Sequence, residues 1–132
     1  YSAKFSVPYC IAAGFVDSTA GLDQFTDARI ADPRILALAA KIGYEIDPEN
    51  EYPANYSGHL RVTMTDGAVH EVEQPHLRGG ARQPLANDEL RAKYRANAAI
   101  GEVSDELAAK LEAWCDTAFE APDLSGLASF RG

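Results

Sequence analysis

The sequence has little cysteine, no long apolar run and few basic residues, and each shortage excludes a class of protein. Its two cysteines, Cys10 and Cys115, form no CxxC pair, so we expect two buried, reduced thiols and a cytoplasmic protein. The longest apolar stretch, Cys10 to Val16, is far shorter than the roughly 20 residues that cross a bilayer. The sequence therefore predicts neither a disulfide framework nor a membrane partner.

Cationic residues are also scarce, because 12 Lys and Arg stand against 20 Asp and Glu, which gives a formal net charge of −8. Proteins that bind nucleic acids or anionic membranes use clusters of basic residues. We therefore expect no nucleic-acid partner. An anionic small molecule is compatible with this balance, since a local basic pocket can oppose the global charge.

The N-terminal segment, YSAKFSVPYCIAAGFVD, begins without methionine and has a proline inside an apolar stretch. It does not resemble a signal peptide, because it has one lysine, an interrupting proline and no small-residue cleavage site. A helix tolerates proline in its first turn, so we predict a helix that begins between Lys4 and Val7 and ends near Asp17. We also expect that the chain begins partway through a larger protein.

Helical spacing of apolar residues recurs in four later segments, LDQFTDARIAD, DPRILALAAKIG, NDELRAKYRANAAIG and SDELAAKLEAWCDTAF. Asp32, Asn87 and Ser104 are predicted to cap the last three of these helices at their N-termini. Gly43 is predicted to end the DPRILALAAKIG helix in the left-handed conformation.

The segment HLRVTMTDGAVHEVE alternates apolar and polar residues around an Asp-Gly pair, which predicts a β-hairpin over residues 59–73. A two-residue turn places Val69 on the face of Leu60, whereas a three-residue turn with a glycine bulge places His70 and Val72 there. The second alternative leaves fewer acids on the core face, and we favour it. The sequence thus predicts an α+β fold, with helices flanking a small antiparallel sheet built on the 59–73 hairpin, followed by C-terminal helices.

Motifs for catalysis or metal binding are absent from the sequence. The three histidines are His59, His70 and His76, and although the first two are predicted to lie near each other across the hairpin, no third ligand joins them at metal-binding spacing. We therefore expect no metal site. The sequence has no GxSxG, no HExxH and no phosphate-binding glycine loop, so we predict no catalytic residue within this chain.

Four residues are candidates for binding an anionic ligand. Lys4 and Tyr9 lie at or near a predicted helix N-terminus, where a lysine is electrostatically unfavourable and therefore suggests another role. Arg78 and Arg82 lie in the loop QPHLRGGARQPLA, and arginine can pair with a carboxylate. The alternative is that Lys4 is a surface lysine, Tyr9 a packed tyrosine and both arginines merely solvated.

Several segments resemble, in order, motifs of the MmgE/PrpD family: SAKFSVPYCIAAGFVDS, QFTDARIADPRILALAAKIG, VTMTDG and QPLANDELRAKYRANA. The family includes 2-methylcitrate dehydratase, cis-aconitate decarboxylase and iminodisuccinate epimerase, which act on small polycarboxylates without a metal or organic cofactor. The resemblance therefore implies a small anionic carboxylate substrate and no cofactor. Lys4, Ser6 and Tyr9 match the KFSxPY motif of the family.

The resemblance also implies a place in a larger architecture. Residues 1–74 are expected to form part of an α+β lid domain, and residues 75–132 a C-terminal loop and helices that return to a separate helical domain. The acid–base residues of the family lie upstream, so none is carried over to this chain. The implied reaction is abstraction of a proton α to a carboxylate, followed by loss of water, loss of carbon dioxide or reprotonation.

We therefore expect a C-terminal fragment of an MmgE/PrpD-type enzyme that is inactive alone. Helices that lack their partner domain are expected to expose an apolar patch and to associate into a homo-oligomer. The alternative is a stand-alone, non-catalytic domain that binds a ligand or mediates oligomerisation. The coding sequence upstream of Tyr1 distinguishes the two, because a reading frame that starts there excludes the fragment.

Overall fold

The computed structural model describes residues 1–130, and its fold is α+β, as the sequence predicts. The helices are α1 (Val7–Asp17), α2 (Asp27–Ile30), α3 (Pro33–Ala39), α4 (Asn87–Ile100) and α5 (Asp105–Thr117), with short 3-10 helices at Ser2–Phe5, Leu22–Phe25 and Ser125–Phe130. The strands β1 (Gly58–Thr63) and β2 (Val69–Gln74) form an antiparallel two-stranded sheet.

The chain divides into two compact units. The first unit comprises Tyr1–Tyr44 together with the chain from Ala92 onward, and the second comprises Glu45–Arg91. The second unit therefore contains the hairpin, the loop that follows it and the first turn of α4. The predicted boundary near residue 74 concerns domains of a longer protein, and it stays a prediction.

Helix α1 begins and ends as the sequence predicts. The Ser6 hydroxyl accepts a hydrogen bond from the Tyr9 backbone N–H at 3.3 Å, which caps the helix. Pro8 lies in the first turn, where its missing N–H has no intrahelical partner to lose. The helix ends at Ser18, whose φ of 57° places it in the left-handed region.

The core of the first unit lies between α1 and α3. Tyr9, Ala12 and Ala13 of α1 are buried together with Ile35 of α3, and Ile35 is fully buried. The alanines leave room for a close approach of the two helices, and partly buried apolar side chains of the neighbouring segments complete the cluster. Burial of these apolar surfaces is the main source of stability for Tyr1–Tyr44.

Two predictions about the α2 and α3 region are wrong. The segment LDQFTDARIAD is not one helix, because Thr26 adopts an extended conformation between the 3-10 helix Leu22–Phe25 and α2. Gly43 is not left-handed, since α3 already ends at Ala39. The predicted start of α3 is confirmed: the Asp32 carboxylate accepts from the Arg34 backbone N–H at 2.9 Å.

The hairpin has the register that we favoured. Leu60 pairs with Val72 and Val62 pairs with His70, so these four side chains share one face. The Met64 N–H donates to the Ala68 carbonyl at 2.8 Å, which closes a three-residue turn. The third turn residue, Gly67, has a φ of 88°, as the glycine bulge requires.

The same register shows that His59 and His70 do not lie near each other across the hairpin, contrary to the prediction. His59 pairs with Glu73, whereas His70 pairs with Val62. Because side chains alternate between faces along a strand, His59 and His70 lie on opposite faces of the hairpin. They therefore cannot share a metal ion.

Helices α4 and α5 are linked by a side-chain hydrogen bond, and one of their two predicted caps is wrong. Ser104 caps α5, as predicted, by accepting from the Leu107 N–H at 3.3 Å. Asn87 is the first residue of α4 rather than its cap, and the Glu89 carboxylate accepts from the Ala86 N–H at 3.0 Å instead. The Tyr94 hydroxyl donates to the Ala108 carbonyl at 2.9 Å and links the two helices.

The predicted burial of the cysteines is only partly met. Both thiols are free, but Cys10 is half-buried and Cys115 is exposed on α5. The sequence places Cys115 beside apolar residues, but Cys115 lies outside the stripe of α5 that packs. That stripe includes Leu111 and Trp114, and Trp114 contacts Phe130 with ring centroids 6.2 Å apart.

Candidate functional site

The four candidate ligand-binding residues are distributed over the two units. Lys4 and Tyr9 lie in the first unit, and Arg78 and Arg82 lie in the second. Their local surroundings differ, and those surroundings decide which side chains are available for a ligand. Whether any of the four contacts a substrate stays a prediction.

Lys4 is an exposed residue of the 3-10 helix Ser2–Phe5, which precedes α1. It therefore does not stand inside the first turn of α1, and the unfavourable dipole interaction that drew attention to it is weaker than the sequence suggested. No side-chain partner for Lys4 occurs among residues 1–130. Its ammonium group is available to an anion.

Tyr9 is buried and engaged. Its hydroxyl donates to the Gln24 backbone carbonyl at 2.6 Å, and its ring packs against Phe25 with centroids 5.8 Å apart. Burial raises the pKa of the Tyr9 hydroxyl, so this group stays a protonated donor at neutral pH. The arrangement makes Tyr9 a structural link between α1 and the 3-10 helix Leu22–Phe25.

A polar network in the first unit was not anticipated from the sequence. The Arg29 guanidinium donates to the carboxylates of Asp17 and Asp32, the second at 2.7 Å. Gln24, a buried polar side chain, donates to Asp17 at 3.1 Å and accepts from the Gly21 N–H at 2.9 Å. The network joins the end of α1 to α2 and to the start of α3.

The electrostatics of this network indicate a structural role. The hydrogen bond from Arg29 lowers the pKa of Asp17, and the hydrogen bonds from Arg34 lower the pKa of Asp32. Both carboxylates are therefore ionised at neutral pH and already paired, so neither is poised to act as a general base. The sequence signals that could have revealed the network are the acid at the end of α1 and the DPR motif.

Arg78 and Arg82 occupy the loop between β2 and α4, but only one of them is paired. The Arg78 guanidinium donates to the Glu89 carboxylate in the first turn of α4. Arg82 is exposed, and within residues 1–130 no hydrogen bond or ion pair occupies its guanidinium. Residues 74–87 contain no Asp or Glu, so this loop is a locally basic surface in an acidic chain.

The loop is ordered by its own hydrogen bonds. The Gly79 N–H donates to the Gln83 carbonyl at 2.7 Å, and the Gln83 N–H donates to the Gly80 carbonyl at 3.1 Å. The Gln74 side chain donates to the His76 carbonyl at 2.8 Å and to the Gln83 side chain. Gly79 has a φ of 88°, which a residue with a side chain rarely adopts.

One nitrogen in this loop has no protein partner. His76 Nδ1 is buried and unpaired among the residues that the structure describes. Buried polar atoms are nearly always satisfied by protein or water. The loop therefore contains one position at which a water molecule or a ligand atom would complete the hydrogen bonding.

The hairpin face opposite Leu60 and Val72, its outer face, carries a second group of polar side chains. The Glu71 carboxylate accepts from Arg61 at 2.6 Å and from His59 at 3.2 Å. The hydrogen bond from Arg61 is the main reason that the pKa of Glu71 is lowered. These three exposed side chains satisfy one another, so we assign them to the solvated surface.

A groove of about 190 Å³ lies between α4 and α5, and its lining combines four alanines and Val103 with Asp105 and the Arg95–Glu112 ion pair. Within the described part of the chain, no group of three or more His, Cys, Asp and Glu residues is arranged to hold a metal ion. None of the helices in residues 1–130 has the length and apolar composition that crossing a membrane requires.

Comparison with known proteins gives consistent relatives. The sequence profile of the MmgE/PrpD C-terminal domain matches residues 1–118. The chain is 29% identical over 99 residues to cis-aconitate decarboxylase of Homo sapiens, an alignment that covers 74% of this chain and 21% of that protein. It is 27% identical over 101 residues to cis-aconitate decarboxylase of Mus musculus, covering 74% of this chain and 20% of that protein.

The chain thus spans about a fifth of the length of the curated relatives that it matches. The motifs KFSVPY, DPR and VTMTDG all fall within the residues matched by the profile. Because that match extends over most of the sequence, we conclude that the chain belongs to the MmgE/PrpD family and represents the C-terminal domain of that family.

Proposed function

We propose that the chain works within a longer MmgE/PrpD-type enzyme that abstracts a proton α to a carboxylate of a small polycarboxylate. The match of residues 1–118 to the C-terminal domain of the family is the observation that carries this proposal. The carbanion that forms is then resolved by loss of water, loss of carbon dioxide or reprotonation. No cofactor enters the proposed step.

The proposed chemistry needs two kinds of group. A positioned base removes the proton, and cationic groups bind the substrate carboxylates and stabilise the enolate-like charge that develops. Asp17 and Asp32 are paired with arginines, so the chain offers no evident base in its polar network. We propose that the base comes from the part of the polypeptide that this chain does not include.

The chain would supply carboxylate-binding cations. Lys4 and Arg82 are exposed and carry no protein partner within residues 1–130. Arg78 is exposed but paired with Glu89, and Tyr9 is buried and donates to Gln24. The side chains of Lys4 and Arg82 are therefore available to an anionic ligand, whereas Arg78 and Tyr9 are already engaged.

Decarboxylation of cis-aconitate is the first reaction to test, because both curated relatives are named for it. The complete polypeptide that carries this chain should be assayed with cis-aconitate, 2-methylcitrate and iminodisuccinate. The 132-residue chain alone serves as the matched sample. We expect turnover of one polycarboxylate by the complete polypeptide and none by the chain alone.

Two results would contradict the proposal. If the complete polypeptide turns over no polycarboxylate, the proposed chemistry is wrong. If the isolated chain is as active as the complete polypeptide, the proposed location of the base is wrong.

A second candidate function is assembly without catalysis, and exposed apolar side chains favour it. Phe15 of α1, Val72 of β2 and Phe119 after α5 are 56%, 66% and 103% exposed. Surfaces of this kind commonly mark contacts with other chains or domains. We propose that the chain forms homo-oligomers, and sedimentation equilibrium tests this. A strictly monomeric chain at high concentration would refute it.

A further inference from the structure

We infer that Arg82 is the arginine of the β2–α4 loop that contacts a substrate carboxylate, and that Arg78 is a positioning residue that holds the loop against α4. This inference rests on the proposed function, because it assumes that the ligand is a polycarboxylate. It goes further by assigning different roles to two arginines that the sequence does not distinguish.

Arg78 is committed to a structural contact. Its guanidinium binds one oxygen of the Glu89 carboxylate, and the other oxygen of Glu89 accepts from the Ala86 N–H at 3.0 Å. Both oxygens of Glu89 are therefore used at the point where the loop enters α4. A substrate carboxylate that bound Arg78 would have to displace Glu89 and remove this connection.

Arg82 lies at the tip of a tight turn. Gly80 and Gln83 pair as an isolated β-bridge, so Ala81 and Arg82 form the connection between them. The hydrogen bond from the Gly79 N–H to the Gln83 carbonyl, at 2.7 Å, closes the base of this turn. The guanidinium of Arg82 is thus presented to solvent from a backbone that is held at both ends.

The surroundings of Arg82 suit an anion. An arginine guanidinium offers a planar set of N–H donors that matches both oxygens of a carboxylate. Residues 74–87 include no Asp or Glu, so no acid among its neighbours along the chain competes for it. Because the turn is already ordered, binding does not require the chain to order it, which favours affinity.

The backbone conformation of the loop depends on a glycine at one position. Gly79 has a φ of 88°, a conformation that a residue with a side chain rarely adopts. The buried, unpaired Nδ1 of His76 lies at the start of the same loop. The left-handed conformation of Gly79 and the hydrogen bonds between Gly79, Gly80 and Gln83 define the backbone path of the loop.

The test uses the complete polypeptide and its preferred polycarboxylate. For Arg82→Ala we expect a KM increase of about tenfold or more, with kcat changed by less than about threefold, as expected for loss of one charge-assisted contact. Arg82→Lys should recover part of this loss, since it keeps the charge but not the planar donors. Arg61→Ala, on the outer face of the hairpin, is the matched control and should leave both constants unchanged.

The positioning role of Arg78 has its own readout. Arg78→Ala and Glu89→Gln should each accelerate amide hydrogen exchange in residues 76–86, and the double variant should exchange no faster than either single variant. Arg82→Ala should leave this exchange unchanged, because its side chain holds no protein group. In both Arg78→Ala and Glu89→Gln we expect a smaller increase in KM than in Arg82→Ala.

Each outcome decides a specific statement. If the wild-type polypeptide turns over no polycarboxylate, the proposed function and this inference both fail. If the wild-type polypeptide turns over a polycarboxylate and Arg82→Ala retains the wild-type KM, the inference alone is wrong. A larger KM effect for Arg78→Ala than for Arg82→Ala, or faster loop exchange in Arg82→Ala, would also overturn the assignment of roles.

Discussion

The segments Tyr1–Tyr44 and Glu45–Arg91 differ both in apolar content and in how they use it, because 25 of the 44 residues of the first are apolar and only 15 of the 47 residues of the second. In Tyr1–Tyr44, side chains of α1 and α3 form a buried cluster around Ile35. In Glu45–Arg91, all of whose residues are described, no side chain is buried, and Leu60 and Val62 are only half-buried. One segment therefore has its own core, and the other does not.

Different interactions hold the two segments together. Tyr1–Tyr44 combines apolar burial with the partly buried network of Asp17, Arg29 and Asp32. Glu45–Arg91 depends on the β-ladder, on the bulge at Gly67 and on surface pairs such as Arg61–Glu71. An isolated two-stranded hairpin is marginally stable in water.

The difference bears on where we propose that a ligand binds. In the first segment, Asp17, Arg29 and Asp32 satisfy one another and the candidate ligand contact Tyr9 is packed, although Lys4 stays exposed. The second segment presents Arg82 from an ordered loop without enclosing it. Binding residues commonly lie on loops of this kind, which a rigid scaffold positions.

The largest expected effect comes from removing the side chain at the centre of the core. Ile35→Ala should lower the free energy of unfolding of Tyr1–Tyr44 by about 2–5 kcal/mol, because it deletes buried methyl groups and leaves a cavity. Leu36→Ala on the same helix is the matched control, since Leu36 is 46% exposed. Urea titration followed by NMR signals of each segment measures both.

If the comparison is correct, the signals of Glu45–Arg91 should respond less to Ile35→Ala than those of Tyr1–Tyr44. Equal destabilisation by Ile35→Ala and Leu36→Ala would refute the assignment of the core.

The next effect tests whether Tyr9 is structural. Tyr9→Phe keeps the ring contact with Phe25 but leaves the Gln24 carbonyl without its donor. We expect a loss of about 1–3 kcal/mol, the usual cost of leaving a buried polar group unpaired. Tyr94→Phe is the matched control, since its hydroxyl binds a carbonyl in a half-buried setting, and it should cost less.

Enzyme kinetics on the complete polypeptide complete this test. A Tyr9→Phe variant with unchanged stability and a raised KM would instead support direct contact between Tyr9 and the substrate.

The sequence predicted those parts of the fold that local chemistry determines. Neighbouring residues alone predict Pro8 in a first turn, Asp32 and Ser104 as caps, and the three-residue turn of the hairpin. The prediction that Gly43 ends α3 is wrong, because the helix already ends at Ala39. A glycine alone does not determine where a helix ends.

The candidate site was less predictable, for a physical reason. Lys4 and Tyr9 are the first and last residues of the motif KFSVPY, but only the packing of α1 shows that Tyr9 is buried and Lys4 exposed. Arg78 and Arg82 are likewise similar in sequence, and the pairing of Arg78 with Glu89 depends on where α4 begins. Contacts between distant residues decide which charges are available, and periodicity does not reveal them.

A smaller effect is expected for the turn of the hairpin. Gly67→Ala should destabilise the hairpin by about 1 kcal/mol, because a φ of 88° is unfavourable for a residue with a Cβ. Gly43→Ala is the matched control, since Gly43 is not left-handed and a Cβ there meets no atom within 4 Å. Amide hydrogen exchange in β1 and β2 measures the change, and equal exchange in the two variants would contradict the bulge.

The smallest expected effect is the pH dependence of the two segments. The pKa values of Asp17, Asp32 and Glu71 are all lowered by arginine partners. For each acid, the folded-state pKa lies below the unfolded value of about 4. The ion pairs therefore stabilise the fold above about pH 4. This contribution is lost as the pH falls through the folded-state pKa.

Urea titrations of each segment at falling pH measure this loss. The Asp17–Arg29 pair is only 16% and 27% exposed, whereas the Glu71–Arg61 pair is 44% and 61% exposed. Solvent and salt screen exposed pairs more strongly. We therefore expect Asp17→Asn to reduce the pH dependence of Tyr1–Tyr44 more than Glu71→Gln reduces that of Glu45–Arg91, and to do so still at high salt. Equal effects in both segments would show that burial does not distinguish them electrostatically.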